Sequence, residues 1–588
     1  MTIKKKLLLD ILFSILLFAS ALYYASRYVD FSIQPFEDAA MLMRYAQHLA
    51  QGYGIVWNIG EHPVDGATDF LFMVASASLI KLGLSVGQSV RGIGFISHIL
   101  TVLMVYWTNR RINNANIPFS FLSGLYLAVG TGLSYVAAYF GTPFFALAAA
   151  TTWTLSLLLI KWHRPERTLS EGEVEAERPP FWLMLAFALS GLVTGLIRPE
   201  GVILASLMLL SVIVMRMADG PLSFSERARV RGVFSIISIF GIVFLLLGGT
   251  YFIWRWNYFG YPLPNPFYKK GDGGWHWATF DSSLLNTLRL SLPILFAFIY
   301  AFRSKETTKT ALAYLIPILG FAAAFGMISD EMNYGARFQY ALLPIALMSW
   351  TQLVSSVGRV RLDAFSSLYR EAPAGGDPSQ PNQLSVRERN VTFIALIALS
   401  ATLVYYSWFQ NCFLTSYQQT CTTAYERDGQ YDMGRMLAEY RDKGYVIATT
   451  EAGLLPYYSG WTAVDTWGLN DRFIAHNGGL TVEYLDRYKP QIIMFHDYYS
   501  PLVPAKLTDA NLAQRWFSMT VTMKDYAEAN GYVLAAVFGD SPYDTHTYYV
   551  RSGFADSKRL IEQISTMKKY YYPTTGKKSI NYAKIKLP

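Results

Sequence analysis

Cysteine is nearly missing from this chain, with two in 588 residues. That excludes a disulfide scaffold and any cysteine-rich metal module. Charge is scarce too: Asp, Glu, Lys and Arg make up 16%, where a soluble domain carries roughly 25%. With 52% hydrophobic residues and a mean hydropathy of +0.23, a water-facing globule, a disordered chain and a coiled coil are all excluded. No Walker A lysine loop and no HExxH is present. The eight histidines are scattered, and His48, His62 and His98 share no ligand spacing, so no metal or cofactor site is legible. No internal repeat appears.

What the chain has is long apolar runs. Lys4-Lys5-Lys6 precedes a run from Leu7 to Tyr28, read as a retained first helix that starts in the cytoplasm. Further runs fall near 92–108, 118–137, 143–160, 182–197, 201–216, 233–253, 290–302, 310–328, 338–354 and 392–409. Together they predict about eleven transmembrane helices. The segment 70–84 is ambiguous in length. If it lies at the membrane surface, Arg110, Arg111, Lys161, Arg216, Arg303 and Arg359 all fall in inner loops, as the positive-inside rule asks. The net charge of +8 then reflects membrane orientation, not a nucleic-acid partner. On this reading 1–409 is a membrane domain, 29–91 is one outer loop with interfacial helices, and 410–588 is an extracytoplasmic domain. Segments such as YVIATTEAGLLPYYSG, PQIIMFHDYY and GYVLAAVFGD predict strands in an α/β arrangement. The expected fold is thus an α-helical polytopic membrane bundle with a C-terminal α/β domain. Cys412 and Cys421 stand at the entrance of that domain, where an oxidising compartment permits a structural disulfide.

Polar groups at the outer ends of spans are the candidates for chemistry, because intramembrane charge is costly. Glu37 and Asp38 open a stretch with helical apolar spacing at Ala39, Leu42, Met43, Ala46 and Leu49. Acids also favour a helix start for dipole reasons alone. Arg198-Pro199-Glu200 sits between two runs with almost no loop, either as a functional group or as a buried ion pair. In 255–271, Pro262, Pro264 and Pro266 predict a non-helical outer loop ending in Lys269 and Lys270. The two lysines read as interfacial anchors or as contacts to an anion such as a phosphate. Arg337 is a further outer arginine, with a structural ion pair to Asp330 or Glu331 as its plain alternative. Glu451, with Tyr457, Tyr458 and the run Asp465 to Asp471, suits sugar contact or an ordinary α/β loop.

In order along the chain, these segments resemble the GT-C superfamily of membrane glycosyltransferases. Within it they are most similar to the terminal arabinofuranosyltransferase, AftB-like, group. The shared runs are Glu37-Asp38-Ala39, Arg44-Tyr45-Ala46, Gly52-Tyr53-Gly54-Ile55-Val56-Trp57-Asn58 and Gly66-Ala67-Thr68-Asp69. They continue as Arg198-Pro199-Glu200-Gly201, Leu263-Pro264-Asn265-Pro266-Phe267-Tyr268, Arg337-Phe338 and Glu451-Ala452-Gly453. Two departures stand out. The first acid of the pair is Glu37 instead of Asp. Tyr139-Phe140-Gly141-Thr142-Pro143 also lacks the carboxylate that relatives often carry in the second outer loop.

The resemblance implies a polyprenyl-phosphate sugar as donor, arabinofuranose in that group, and a cell-envelope glycan or glycoprotein as acceptor at the outer face of the plasma membrane. It implies Asp38 as base, with Glu37 orienting it or sharing its proton, and an inverting transfer. Arg198, Arg337, Lys269 and Lys270 would hold the donor phosphate. Arg44, Trp57, Asn58, Glu200, Asn265, Tyr268 and Glu451 would line the substrate site. Other readings are a transferase of a mannose-like sugar or onto a pilin-like protein, and, in another class, a glycolipid transporter.

Overall fold

The computed structural model describes residues 3–162, 179–217, 224–270, 274–291, 305–328, 333–349, 429–496, 510–541, 544–567, 571–572 and 577–578. Cys412, Cys421 and the linker 355–391 lie outside these, and so does the apolar run 392–409. The chain starts with α1 (Ile3–Tyr28), then α2 (Glu37–Ala50) and α3 (Phe70–Lys81), before the long α4 (Val86–Trp107). Asp10 of α1 is buried; its carboxylate accepts from Arg110 Nε at 2.7 Å and from the Tyr106 hydroxyl at 2.9 Å. Residues 10 and 110 therefore share one face of the bundle. Since α1 crosses once and α4 returns, the stretch between them starts and ends on the opposite face. The twelve residues of α3 span only about 18 Å, too short for a bilayer core of roughly 30 Å.

The bundle continues with α5 (Ile117–Ala128), α6 (Gly132–Ala137), α7 (Thr142–Ile160), α8 (Phe181–Ile197), α9 (Glu200–Met217), α10 (Phe224–Val243), α11 (Gly249–Phe259), α12 (Asn265–Lys270), α13 (Trp277–Leu290) and α14 (Lys305–Ala324). Among the described residues, six helical stretches are long and apolar enough to cross a membrane: Lys4–Tyr28, Val86–Ile112, Ile117–Ala137, Thr142–Ile160, Glu200–Met217 and Val230–Phe259. The protein is an integral membrane protein. Inward faces interlock through large rings, such as Trp153 edge-on to Tyr314 at 5.5 Å. Outward faces expose Leu8, Ile15, Phe234 and Leu245, which is where a bundle meets lipid.

The run 118–137 forms one helical stretch with a break between α5 and α6. One expectation is corrected: the prolines after 255 do not exclude helix, since Pro266 sits in the first turn of α12, where its missing N–H costs nothing.

The C-terminal region is α/β. Strands β1 (Val446–Thr449), β2 (Thr462–Asp465), β3 (Ile492–His496), β4 (Tyr532–Ser541) and β5 (Asp544–Arg551) form one sheet in the order β2-β1-β3-β5-β4. β1 runs parallel to β2 and β3, and β5 is antiparallel to β3 and β4. One sheet face packs under the helix Ala510–Ala529, through Met519, Met523 and Tyr526. The other shares a single core with the first loop: Ile447, Trp461 and Ile492 lie in one cluster with Leu42, Tyr45 and Trp57.

A polar latch lies inside this shared core. Arg44 is buried and donates to the carbonyls of Trp57 (2.8 Å), Trp461 (2.8 Å) and Pro456, and to Asn58 Oδ1 at 3.0 Å. Asn58 in turn accepts from the Ala463 amide at 2.9 Å and donates to the Ala463 carbonyl at 3.0 Å, as a neighbouring strand would. Trp57 Nε1 donates to the same carbonyl at 3.1 Å. Truncating Asn58 strands both the Arg44 guanidinium and β2 groups away from water, at a cost of about 1–3 kcal/mol. Asn58→Ala should accordingly lower the thermal unfolding midpoint in detergent and speed proteolysis between the first loop and the sheet.

Candidate active site

Asp38 lies in the first turn of α2, beside Glu37, yet the two acids point to different partners. Asp38 Oδ2 lies 2.5 Å from Arg337 Nη2. Arg337 therefore pairs with Asp38 of the first loop; Asp330 and Glu331 are outside the described residues. Its Nε is buried with no hydrogen-bond partner among the described residues. Glu37 instead spends both carboxylate oxygens on the C-terminal domain. One accepts from the Gly453 amide and the other from the Leu454 amide at 2.8 Å, at the start of the short helix Leu454–Ser459. Gly453 touches the Glu37 carbonyl so closely that any Cβ there would collide with it.

A second arginine completes the cluster. Arg198 binds Glu200 at 2.6 Å and Asp69 at 3.2 Å. The Phe338 ring joins the two cations, with each guanidinium carbon 5.0 Å from its centroid. Arg337 also lies 4.2 Å over Phe140. Three carboxylates, two arginines and Phe338 thus converge where the first loop, the α8–α9 turn and the turn before Arg337 meet. That turn is built with Gly335 at φ 64° and Ala336 at φ 60°, and a left-handed alanine is costly enough to imply a constraint worth keeping. Asp38 is the most open ionic member, at 28% side-chain exposure against 9–14% for Arg198, Arg337, Asp69 and Glu200.

Asp69 was not among the expected site residues. Its signal is Gly141: a Cβ there would sit 2.7 Å from Asp69 Oδ2 and 2.8 Å from the Phe72 ring. The second loop, which lacks a carboxylate of its own, therefore borders one supplied by the first. Burial pushes the Asp69 carboxyl above its usual range, against the pull of Arg198.

Other expected residues lie elsewhere. Arg44, Trp57 and Asn58 are buried in the latch with their polar atoms engaged on main chain and on one another, where they hold the loop against the sheet. Lys269 is buried 4.9 Å from the Trp467 ring, and among the described residues no contact joins it to Arg198 or Arg337. The side chain of Lys270 is outside the described ones. Asn265 is buried and donates its amide to the Asp65 carbonyl at 3.0 Å. Tyr268 packs edge-on to His476 at 4.5 Å. Glu451 pairs with His496 at 3.2 Å. Asp465 accepts from the amides of Trp467, Gly468 and Asn470, and Asp471 caps the next helix through Ile474 N at 3.0 Å. Both carboxylates build turns.

A family model described as a domain of unknown function, DUF8728, matches residues 418–552. No curated protein matches the chain. Among solved structures, apo ArnT from Cupriavidus metallidurans aligns at 14% identity and TM-score 0.51, over 91% of this chain and 97% of its own. ArnT bound to undecaprenyl phosphate aligns equally well, over 92% and 99%. The oligosaccharyltransferase AglB from Archaeoglobus fulgidus, with an inhibitory peptide and a dolichol-phosphate, aligns at 12% and 0.43 over 91% and 74%. The ArnT likenesses give the fold alone: a polytopic helical bundle followed by an α/β region.

Burial, with Arg515 beside it, pulls Lys269 down from 10.5 to about 8. Between those values the unfolded chain binds the extra proton, so this lysine makes stability rise with pH. Lys269→Met should therefore be more stable than the parent at pH 7, with the gap closing toward pH 10.5 in thermal unfolding series. Gly141→Ala should separate Asp69 from the second loop and lower the unfolding midpoint, since neither Phe72 nor the carboxylate can yield without moving α3.

Proposed function

We propose that this protein is a membrane glycosyltransferase that moves a sugar from a polyprenyl phosphate to an acceptor at the outer face of the membrane. The observation that carries this reading is the cluster of Asp38, Arg337, Arg198 and Asp69 around Phe338, set in the bundle shared with ArnT. ArnT has been crystallised with undecaprenyl phosphate, which is the chemistry that two converging arginines suit. The donor phosphate departs as an anion, and fixed guanidinium groups stabilise the charge that develops on it. Arg337 brings a buried Nε donor still to be used.

Asp38 serves as the base. One of its oxygens is fixed by Arg337, and the side chain remains 28% exposed. It accepts the proton of the acceptor hydroxyl as that oxygen bonds to the anomeric carbon and the bond to the phosphate breaks. Attack opposite the leaving group inverts the anomeric centre. Glu37 acts one step removed, by holding the C-terminal domain against α2. The motif order of the first loop supports arabinofuranose as the sugar and a cell-envelope glycan as acceptor, gripped by the α/β domain on the outer side.

Purified full-length protein incubated with a panel of polyprenyl-phosphate sugars and an arabinan acceptor should consume one donor and release polyprenyl phosphate, read by mass spectrometry. Asp38→Asn should reduce turnover by at least about a hundredfold while donor binding persists. Full turnover in that variant removes Asp38 from the mechanism. Consumption of a hexose donor in place of arabinofuranose removes the arabinose assignment alone.

A further inference from the structure

We propose that the C-terminal domain holds a divalent metal ion, zinc in its chemistry, on Glu451, His496 and His546. This site lies apart from the Asp38 cluster and does not depend on the transferase reading. One donor atom from each of the three residues falls within 4.8 Å of the others. Glu451 Oε1 is 3.2 Å from His496 Nδ1 and 4.0 Å from His546 Nε2. Ligands bound at about 2.0–2.1 Å in a tetrahedron stand roughly 3.4 Å apart, so small side-chain rotations close the set. Two imidazoles and one carboxylate are the donors of a three-ligand zinc site, with the fourth position left to water or substrate.

The backbone supplies the preorganisation. His496 ends β3 and faces His546 of β5 as its direct cross-strand partner. Glu451 follows the end of β1, the neighbour of β3 on the other side. The three ligands therefore come from two paired strands and the loop after their neighbour, at one end of the sheet. The Glu451 amide donates to Thr449 Oγ1 at 3.0 Å, the His496 amide to Thr450 Oγ1 at 3.0 Å, and Trp516 Nε1 to the His496 carbonyl at 3.2 Å. His546 is fully buried, whereas Glu451 and His496 retain 17% and 18% side-chain exposure. That leaves an entry path and a place for a fourth ligand. The two imidazoles stack 4.2 Å apart, both with a ring nitrogen turned to the same carboxylate.

The ion would also reach the rest of the molecule. Glu451 is two residues from Gly453, whose amide holds Glu37. A metal on Glu451 fixes the loop that positions the start of α2.

The test uses the full chain in detergent, stripped with a chelator and reloaded with Zn(II) or Co(II). Elemental analysis should find about one equivalent of zinc, and cobalt should give the visible ligand-field bands of a four- or five-coordinate site. Glu451→Gln, His496→Gln and His546→Gln should each reduce the bound metal to well below half. His496→Gln, at the more exposed position, serves as the variant that folds if His546→Gln does not, with near-ultraviolet circular dichroism as the check. A folded parent that binds no metal, or folded variants that keep the full equivalent, would overturn the proposal.

Discussion

The buried guanidinium of Arg44 is the interaction on which the molecule's arrangement depends. Burial pulls it down to about 10, which marks how strongly its site disfavours charge. It is kept there because three main-chain carbonyls and Asn58 receive its protons. Two of those carbonyls belong to the C-terminal domain and one to the first loop. Removing any partner leaves a charged donor without water or acceptor. Loop and sheet therefore behave as one body, and the first turn of α2 is held relative to the bundle from two sides.

Glu37 and Asp38 show what that rigidity achieves. Adjacent residues on a helix point about 100° apart, so one carboxylate turns to the Gly453 and Leu454 amides and its neighbour to Arg337. The Phe36 amide adds a third tie at the start of α2, donating to the Ala138 carbonyl at 3.3 Å. Asp65 adds a further restraint, through its ion pair with Arg255 at 2.5 Å, and its own carbonyl receives the Asn265 amide. The first loop is thus pinned to α11, α12 and the sheet, while Asp38 and Asp69 lie against the arginines.

Much of this was legible from local chemistry. Apolar runs mark helices because a bilayer admits no other backbone without losing hydrogen bonds. The stretch after Asp38 reads as a helix from its spacing, and β1, β3 and β4 from β-branched content. Arg198 and Arg337 stand out because charge at a span end is costly. The motif Gly-Tyr-Gly-Ile-Val-Trp-Asn reads as part of the substrate site through the family resemblance alone. Nothing local tells whether Trp57 and Asn58 face a ligand or the edge of a strand 400 residues later.

The sequence by itself determined the membrane bundle, the α/β character of the tail and the placing of acids and cations at span ends. Each of these follows from periodicity, length or the cost of burying charge, which act within a few turns of chain. Only the tertiary structure decided which acid meets which cation. It assigned Glu37 to Gly453 and Asp38 to Arg337, brought Asp69 to Gly141, and set Glu451 beside His496 and His546. Those pairings join residues tens to hundreds of positions apart, and their energies depend on a burial that exists only once the sheet has closed over the first loop.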